Sequence, residues 1–267
     1  HKGRVFLARV YPLFSSSSGN SCFIGSPSGG ILIDAGVSCK RLVSALIQNE
    51  ISPEAVKAVF VTHDHSDHIS GLRVFTKNYK IPVYASPKTI EWLEQSGHIS
   101  SCAEEMAVGS EAVVGDFSVT SFKTPHDAVE SVGYRIKTPD GKAMCVCTDL
   151  GHITEEIDGN LSGCELVLLE SNYDERMLRT GPYPYPLKQR IASGDGHLSN
   201  VASSGEVKKL ISGGTTRIIL GHLSRENNTP QIAKNTLMRA LGDDFKENRD
   251  YLLYIAPIET TGMAVTF

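Results

Sequence analysis

The sequence predicts an α/β fold in which two mixed β-sheets pack face to face under outer helices, a four-layer αββα sandwich. Three observations predict it: strand-like runs bounded by Gly and Ser near the start, helical periodicities recurring between strands in both halves, and a β-rich middle with hairpin turns. In chain order, residues 5–14, 21–25 and 31–34 read as strands separated by Gly and Ser turn signals. Ser38 then caps a helix in which Leu42, Leu46 and Ile47 recur at helical spacing until Asn49 and Pro53 close it. A buried strand over 58–61 delivers the chain into a polar cluster at 62–68, and helices over 71–79 and 87–95 flank a short strand at 82–85. Residues 111–148 alternate β-rich runs with turns at Gly115 and at 139–141, a pattern of antiparallel hairpins. Further on, 166–169 and 217–220 read as strands, 201–211 and 231–241 as helices, and 251–256 with 262–267 as closing strands. No repeat, low-complexity tract or long linker divides the chain, so one domain over 1–267 is expected. The chain opens on His1 rather than Met, and part of 1–8 is expected to be a cloning remnant.

Composition excludes several classes. The 267 residues are 40 % hydrophobic and 21 % charged, unlike a disordered chain. No apolar run approaches the roughly 18 residues needed to span a bilayer, and the N-terminus lacks a signal-peptide pattern, so a cytoplasmic protein without a membrane partner is expected. The net charge of −4 argues against coating nucleic acid by bulk electrostatics, while leaving local basic patches open. The six cysteines (Cys22, Cys39, Cys102, Cys145, Cys147 and Cys164) have no Cys-x-x-Cys spacing and are expected to be reduced core residues.

His63, His65, Asp67 and His68, all residue types that ligate metals, fall within six residues. Imidazole and carboxylate suit zinc, manganese and iron, and an extended turn aims alternate residues at one point and the next at an adjacent one. A solvated turn does not need four such groups. The stretch Thr62-His63-Asp64-His65-Ser66-Asp67-His68 resembles the His-x-His-x-Asp-His signature of the metallo-β-lactamase superfamily, whose fold is the αββα sandwich. Its other motifs have counterparts in order: Asp34 in Ile31-Leu32-Ile33-Asp34, His126 in Thr124-Pro125-His126, Asp149 in Cys147-Thr148-Asp149, and His222 in Leu220-Gly221-His222. The resemblance implies two divalent ions, zinc or manganese with iron as a third option. One is held by His63, His65 and His126, the other by Asp67, His68 and His222, with Asp149 bridging and a bridging hydroxide as nucleophile. Asp34 and Asp64 are expected behind the ligands, orienting them. Paired ions are useful where charge builds on a phosphate oxygen.

A phosphodiester also needs a proton for its leaving alkoxide. Glu170, ending a strand, and His197, in Gly196-His197-Leu198-Ser199, resemble the acid and histidine motifs of ribonuclease Z and related phosphodiesterases, in which the carboxylate orients the imidazole. Catalysis is thus expected from Asp67, His197 and Glu170. Four local strings resemble the YycJ (WalJ) group of bacterial metallo-hydrolases: 14–21, 126–128, 196–200 and 222–228. That implies a 5′-exonuclease-like nuclease, with DNA favoured over RNA. Hydroxyls and amides at Ser17, Ser18 and Asn20, with Arg225, Asn227 and Asn228 beside His222, are expected to bind phosphate. Only 26 residues separate Glu170 from His197, too few for the inserted domain of the large β-CASP ribonucleases. They carry Arg176, Arg179, Tyr183, Tyr185, Lys188 and Arg190, either a base- and phosphate-binding stretch or a proline-stiffened lid on the core. Two other functions compete: hydrolysis of a small metabolite (a cyclic or modified nucleotide, a lactone or a thioester) and metal binding without catalysis. Oligomeric state stays open.

Overall fold

The computed structural model describes residues 7–99, 103–260 and 262–267. Strands β1 (Arg9–Ser16), β2 (Gly19–Ser26) and β3 (Gly29–Ile33) form an antiparallel meander, followed by helix α1 (Cys39–Gln48) and a parallel strand β4 (Val56–Phe60). A single helical turn α2 (Ser66–Ile69), helix α3 (Leu72–Tyr79), strand β5 (Val83–Ala85), helix α4 (Pro87–Gln95) and strand β6 (Ala103–Glu105) complete the first half. The second half runs through β7 (Glu111–Val114), β8 (Phe117–Lys123), β9 (Val132–Lys137) and β10 (Ala143–Cys147), then α5 (Glu155–Leu161) and β11 (Leu166–Glu170). Two short helices, α6 (Glu175–Thr180) and α7 (Tyr185–Ile191), precede α8 (Asn200–Ser212), β12 (Arg217–Gly221), α9 (Pro230–Leu241), β13 (Leu252–Ile255) and β14 (Val265–Thr266).

The strands make two seven-stranded sheets, ordered β14-β1-β2-β3-β4-β5-β6 and β13-β12-β11-β10-β9-β8-β7. Side-chain alternation assigns the layers. Ile31 and Ile33 of β3, with Leu166 and Leu168 of β11, enter the core between the sheets. Leu32 instead packs with Leu42, Leu46, Leu72 and Phe75 of α1 and α3, while Val167 and Leu169 pack with Val207, Leu210 and Leu237 of α8 and α9. Strands buried on both faces are what unbroken apolar runs such as Leu166–Leu169 encode, and they require helices outside each sheet.

Differences from expectation are local. The first strand runs from Arg9 to Ser16 rather than over 5–14, because Ser16 pairs with Gly19 and shrinks the serine turn to Ser17 and Ser18; residues 1–6, most of the suspected remnant, lie outside the described residues. β6, α5, α6 and α7 had no counterpart in the sequence reading. Thr154 caps α5 by accepting from Ile157 N, and Asp174 caps α6 by accepting from Met177 N, both readable signals once the helices are known. The proline-rich stretch is a helix pair with a small core of Tyr173, Leu178 and Ile191. Cys22, Cys145, Cys147 and Cys164 are buried and Cys39 half-buried, all unpaired, while Cys102 lies outside the described residues. No helix among the described residues is long and apolar enough to cross a membrane.

Candidate active site

Parallel strands deliver side chains to one edge. Asp34 follows β3, His63 to His68 follow β4, and Asp149, Glu170 and His222 sit at the ends of β10, β11 and β12, where open α/β sheets build their sites. Three of these, Asp34, Asp149 and His222, adopt φ of 62°, 57° and 53°. Left-handed backbone costs a non-glycine residue on the order of 1 kcal/mol, and here it turns side chains off strand ends toward a common centre.

Strand ends and loops lock this centre together. Asp34 accepts from Thr62 N at 2.8 Å and from Thr62 Oγ1 at 2.9 Å, and its Oδ2 lies 2.7 Å from His68 Nδ1. His68 thereby presents Nε2 inward. Asp64, also expected behind the ligands, accepts from Val129 N at 3.0 Å and ties the His63 loop to the His126 loop. His126 donates Nδ1–H to Gly196 O at 3.0 Å, which leaves its Nε2 facing His65 Nδ1 at 3.3 Å.

Seven of the side chains named as candidate ligands then lie close together. His63, His65 and His126 form one group, Asp67, His68 and His222 another, and His63, His68 and Asp149 a third that joins them; within each, candidate ligand atoms lie within 4.8 Å of one another. Asp149 stands between, with Oδ2 3.3 Å from His68 Nε2 and Oδ1 3.9 Å from His126 Nε2. Three buried atoms, His63 Nε2, Asp149 Oδ2 and His222 Nε2, have no hydrogen-bond partner. Orphaned buried polar atoms are costly and rare; three aimed into one pocket fit a pair of cations. The charges agree. Burial and four neighbouring histidines push His63 well below the ordinary imidazole range, the neutral form a ligand needs. Burial opposes ionisation of Asp67, yet the close approach of His222, 3.8 Å away, and of His68, 3.6 Å away, holds it well below the usual carboxylate range. Burial likewise disfavours charge on His68, but Asp149, Asp34 and Asp67 push it up to about 9.

Glu170 is fully buried and accepts four hydrogen bonds. Leu150 N and Leu198 N donate to Oε2 at 3.1 and 3.0 Å, while His197 Nδ1 and His222 Nδ1 approach Oε1 at 2.8 and 2.7 Å. Asp149, Glu170, His197 and His222 are close enough to suggest another ion group. However, both histidines aim Nδ1 at the same carboxylate oxygen, a hydrogen-bonded cluster with no shared vacancy. Burial lowers the pKa of His197, but Glu170's charge and hydrogen bond and Asp149's charge outweigh it, so the balance lies above the ordinary value. Coupling of Glu170 to His222 as well as His197 was not foreseen from sequence.

The expected phosphate contacts divide. Ser17, Ser18 and Arg225 are exposed, with Ser18 Oγ 2.9 Å from Ser16 Oγ. Asn20 is corrected: its buried amide spans Ser16 N, Ser16 O and Asp67 Oδ2 at 3.2, 3.0 and 3.2 Å, so it steadies the Asp67 loop. Asn228 is corrected too, because its amide donates to Ser171 O and Asn172 O at 2.8 and 3.0 Å beneath the site. Asn227 is wholly buried and likewise out of reach of substrate. Of the basic stretch, Lys188 Nζ donates to Arg179 O at 2.9 Å and Gly181 O at 2.7 Å, and Arg190 pairs with Asp127, so both are structural. Sequence reasoning missed Ser15, whose Oγ accepts from His222 N at 2.7 Å, and Asn172, whose Nδ2 donates to His222 O at 2.9 Å. The Phe14-Ser15 string and Glu170-Ser171-Asn172 were visible, but only the fold places them against His222.

Residues 30–222 match the family described as a beta-lactamase superfamily domain. Over 245 residues the chain is 36 % identical to exodeoxyribonuclease WalJ of Streptococcus pneumoniae, covering 88 % of this chain and 91 % of that protein. It is also 36 % identical to exodeoxyribonuclease YycJ of Bacillus anthracis over 231 residues, 86 % and 87 % of the two chains. Among solved structures, the metallo-β-lactamase fold protein YhfI from Bacillus subtilis superposes with a TM-score of 0.73 at 17 % identity, covering 98 % of this chain and 100 % of that one. Zinc-bound PqqB from Methylobacterium extorquens gives 0.72 at 16 % identity, covering 96 % and 99 %. At those identities the two structures speak to fold alone.

Proposed function

This chain belongs to the metallo-β-lactamase superfamily, and from that membership we propose that it is a dinuclear-metal phosphodiesterase that degrades DNA from a strand end, an exodeoxyribonuclease. The observation that carries the reading is a histidine, His197, hydrogen-bonded to Glu170 beside three candidate ligand groups that do not include it. His63, His65 and His126 would hold one ion, and Asp67, His68 and His222 the other, with Asp149 shared. Nitrogen and oxygen ligands of this kind suit zinc or manganese, and also iron. Ions bound there would lower the pKa of water in the site and offset charge on the phosphoryl oxygens.

The remaining work falls to the chain. Glu170 accepts Nδ1–H of His197 and favours the imidazolium, so Nε2–H is the proton donor for the alkoxide that leaves the phosphorus. Since Glu170 Oε1 also holds His222, proton donor and ligand are fixed to one atom. Ser17, Ser18 and Arg225 are the exposed candidates for phosphate contacts, and Asp34 and Asp64 hold the ligand loop behind them. The 36 % identity with two exodeoxyribonucleases over most of both chains supports DNA as substrate. Cys22, Cys39, Cys145, Cys147 and Cys164, unpaired among the described residues, support a cytoplasmic setting.

The deciding assay offers 5′-phosphorylated DNA and RNA strands alongside bis(p-nitrophenyl) phosphate to the metal-loaded protein. Faster release of nucleotides from DNA than from RNA is expected. Turnover of the small ester with no degradation of either polymer removes the nuclease reading.

A further inference from the structure

The helix pair α6 and α7, between Glu170 and His197, reverses the charge of the chain locally. Residues 175–191 hold Arg176, Arg179, Lys188 and Arg190 against Glu175 alone, in a protein of net charge −4. Lys188 and Arg190 are engaged as described, while Arg176 and Arg179 form no ion pair among the described residues. Between the helices opens a cavity of about 500 Å³ lined in part by Tyr173, Leu178, Arg179, Tyr185 and Ala192. That lies within the usual range for small-ligand sites, and its apolar walls are joined by three charged side chains, Glu175, Arg179 and Lys188, of which Lys188 is already engaged by backbone carbonyls.

The cavity abuts the active site through shared backbone. Tyr173 bridges to Ser199, and its carbonyl accepts from Asn200 N at 2.8 Å. Ala192 opens the loop to His197, whose N–H donates back to O of Ile191 at the end of α7 at 2.9 Å, and within that loop Gly196 O accepts from His126 Nδ1 at 3.0 Å. Tyr185 is 71 % exposed, whereas Tyr183 packs on the small core of the pair. Pro184 and Pro186 fix the backbone on either side of Tyr185, so its ring is presented to solvent at little entropic cost. An exposed aromatic platform, an unpaired arginine and a phosphate-processing centre side by side match the elements that bind single-stranded nucleic acid.

We propose that this cavity is a nucleobase subsite: an unpaired base of the DNA strand stacks on Tyr185, Arg179 meets an adjacent phosphate, and the phosphodiester to be cut lies beside His197. The proposal rests on the exodeoxyribonuclease reading and adds where the strand lies. It is tested with the metal-loaded protein and a fluorescent, 5′-phosphorylated oligothymidylate with hydrolysis-resistant phosphorothioate links. A strand of equal length built of abasic nucleotides is the comparison. Wild type is expected to bind the thymidylate about ten-fold tighter than the abasic strand, as loss of one stacked base implies. Tyr185→Ala should erase that difference by weakening thymidylate binding alone, and Tyr185→Phe should keep it. Equal weakening of both strands by Tyr185→Ala, or no weakening of either, overturns the subsite. If wild type degrades unmodified DNA but binds both strands alike, the subsite falls and the exonuclease reading stands; if it turns over only the small ester and binds neither strand, both fall.

Discussion

At the scale of single residues, the centre is economical with its buried acids. One oxygen of Glu170 receives both His197 and His222, so the same carboxylate orients the proposed proton donor and a candidate ligand. Removing only the donor should separate these roles. His197→Ala is expected to keep both ions and lose about 10²- to 10⁴-fold in kcat on DNA, the usual weight of a general acid. Metal analysis after gel filtration, run with the kinetics, checks it; loss of an ion would mean His197 is itself a ligand. Glu170→Gln is expected to lose comparable activity and also to release the ion at the His222 side, since a neutral amide facing Leu150 N and Leu198 N cannot accept from both and still hold two histidines. Two retained ions in that variant, as tightly held as in wild type, would show that His222 does not depend on Glu170. The candidate histidine and aspartate ligands were legible in the sequence because their chemistry is carried by residue type and tight spacing. Asn20 and Asn228 were misread because an amide beside a motif does not reveal whether it faces solvent or a neighbouring carbonyl.

Among elements, the close approach of loops matters more than any helix propensity. Gly36, just past β3, has its amide on Asn20 O at 2.8 Å, and a methyl group there would stand 1.7 Å from Asp67 O and 2.6 Å from Asn20 N. Both obstacles are backbone, and the ligand loop would have to move. Gly36→Ala is therefore expected to cost about 1–3 kcal/mol by overpacking and to loosen the ion held by Asp67 and His68. Calorimetry and metal stoichiometry check this together; an unchanged melting temperature with two tight ions would mean the loop yields freely. The strands and long helices followed from apolar periodicity. The pair α6 and α7 did not, because each is too short to show a stripe and both draw stability from Tyr173, Leu178 and Ile191 meeting in space.

For the molecule as a whole, the striped sheets bury a polar cluster at their common edge. His63, His68, Asp149, Glu170 and His222 are each at most 2 % exposed, and three of their polar atoms lack partners. Ions that bind the folded state alone stabilise it by about 2.7 kcal/mol at a hundred times the dissociation constant. Chelation is expected to lower the melting temperature by about 5 °C or more, and zinc or manganese should restore it. An identical melting curve with and without chelator would count against a metal centre.

By itself the sequence determined the layer order and named the candidate ligands, because alternation dictates which faces are buried and because imidazole and carboxylate clustered at such spacing mark a metal-binding pattern. Only the tertiary structure decided which atoms of those ligands face one another, that Glu170 serves two histidines, and that an open cavity with a bare tyrosine stands beside them. Those relations join residues 15, 34, 170 and 222, and separation along a chain carries no information about distance until the sheets have closed.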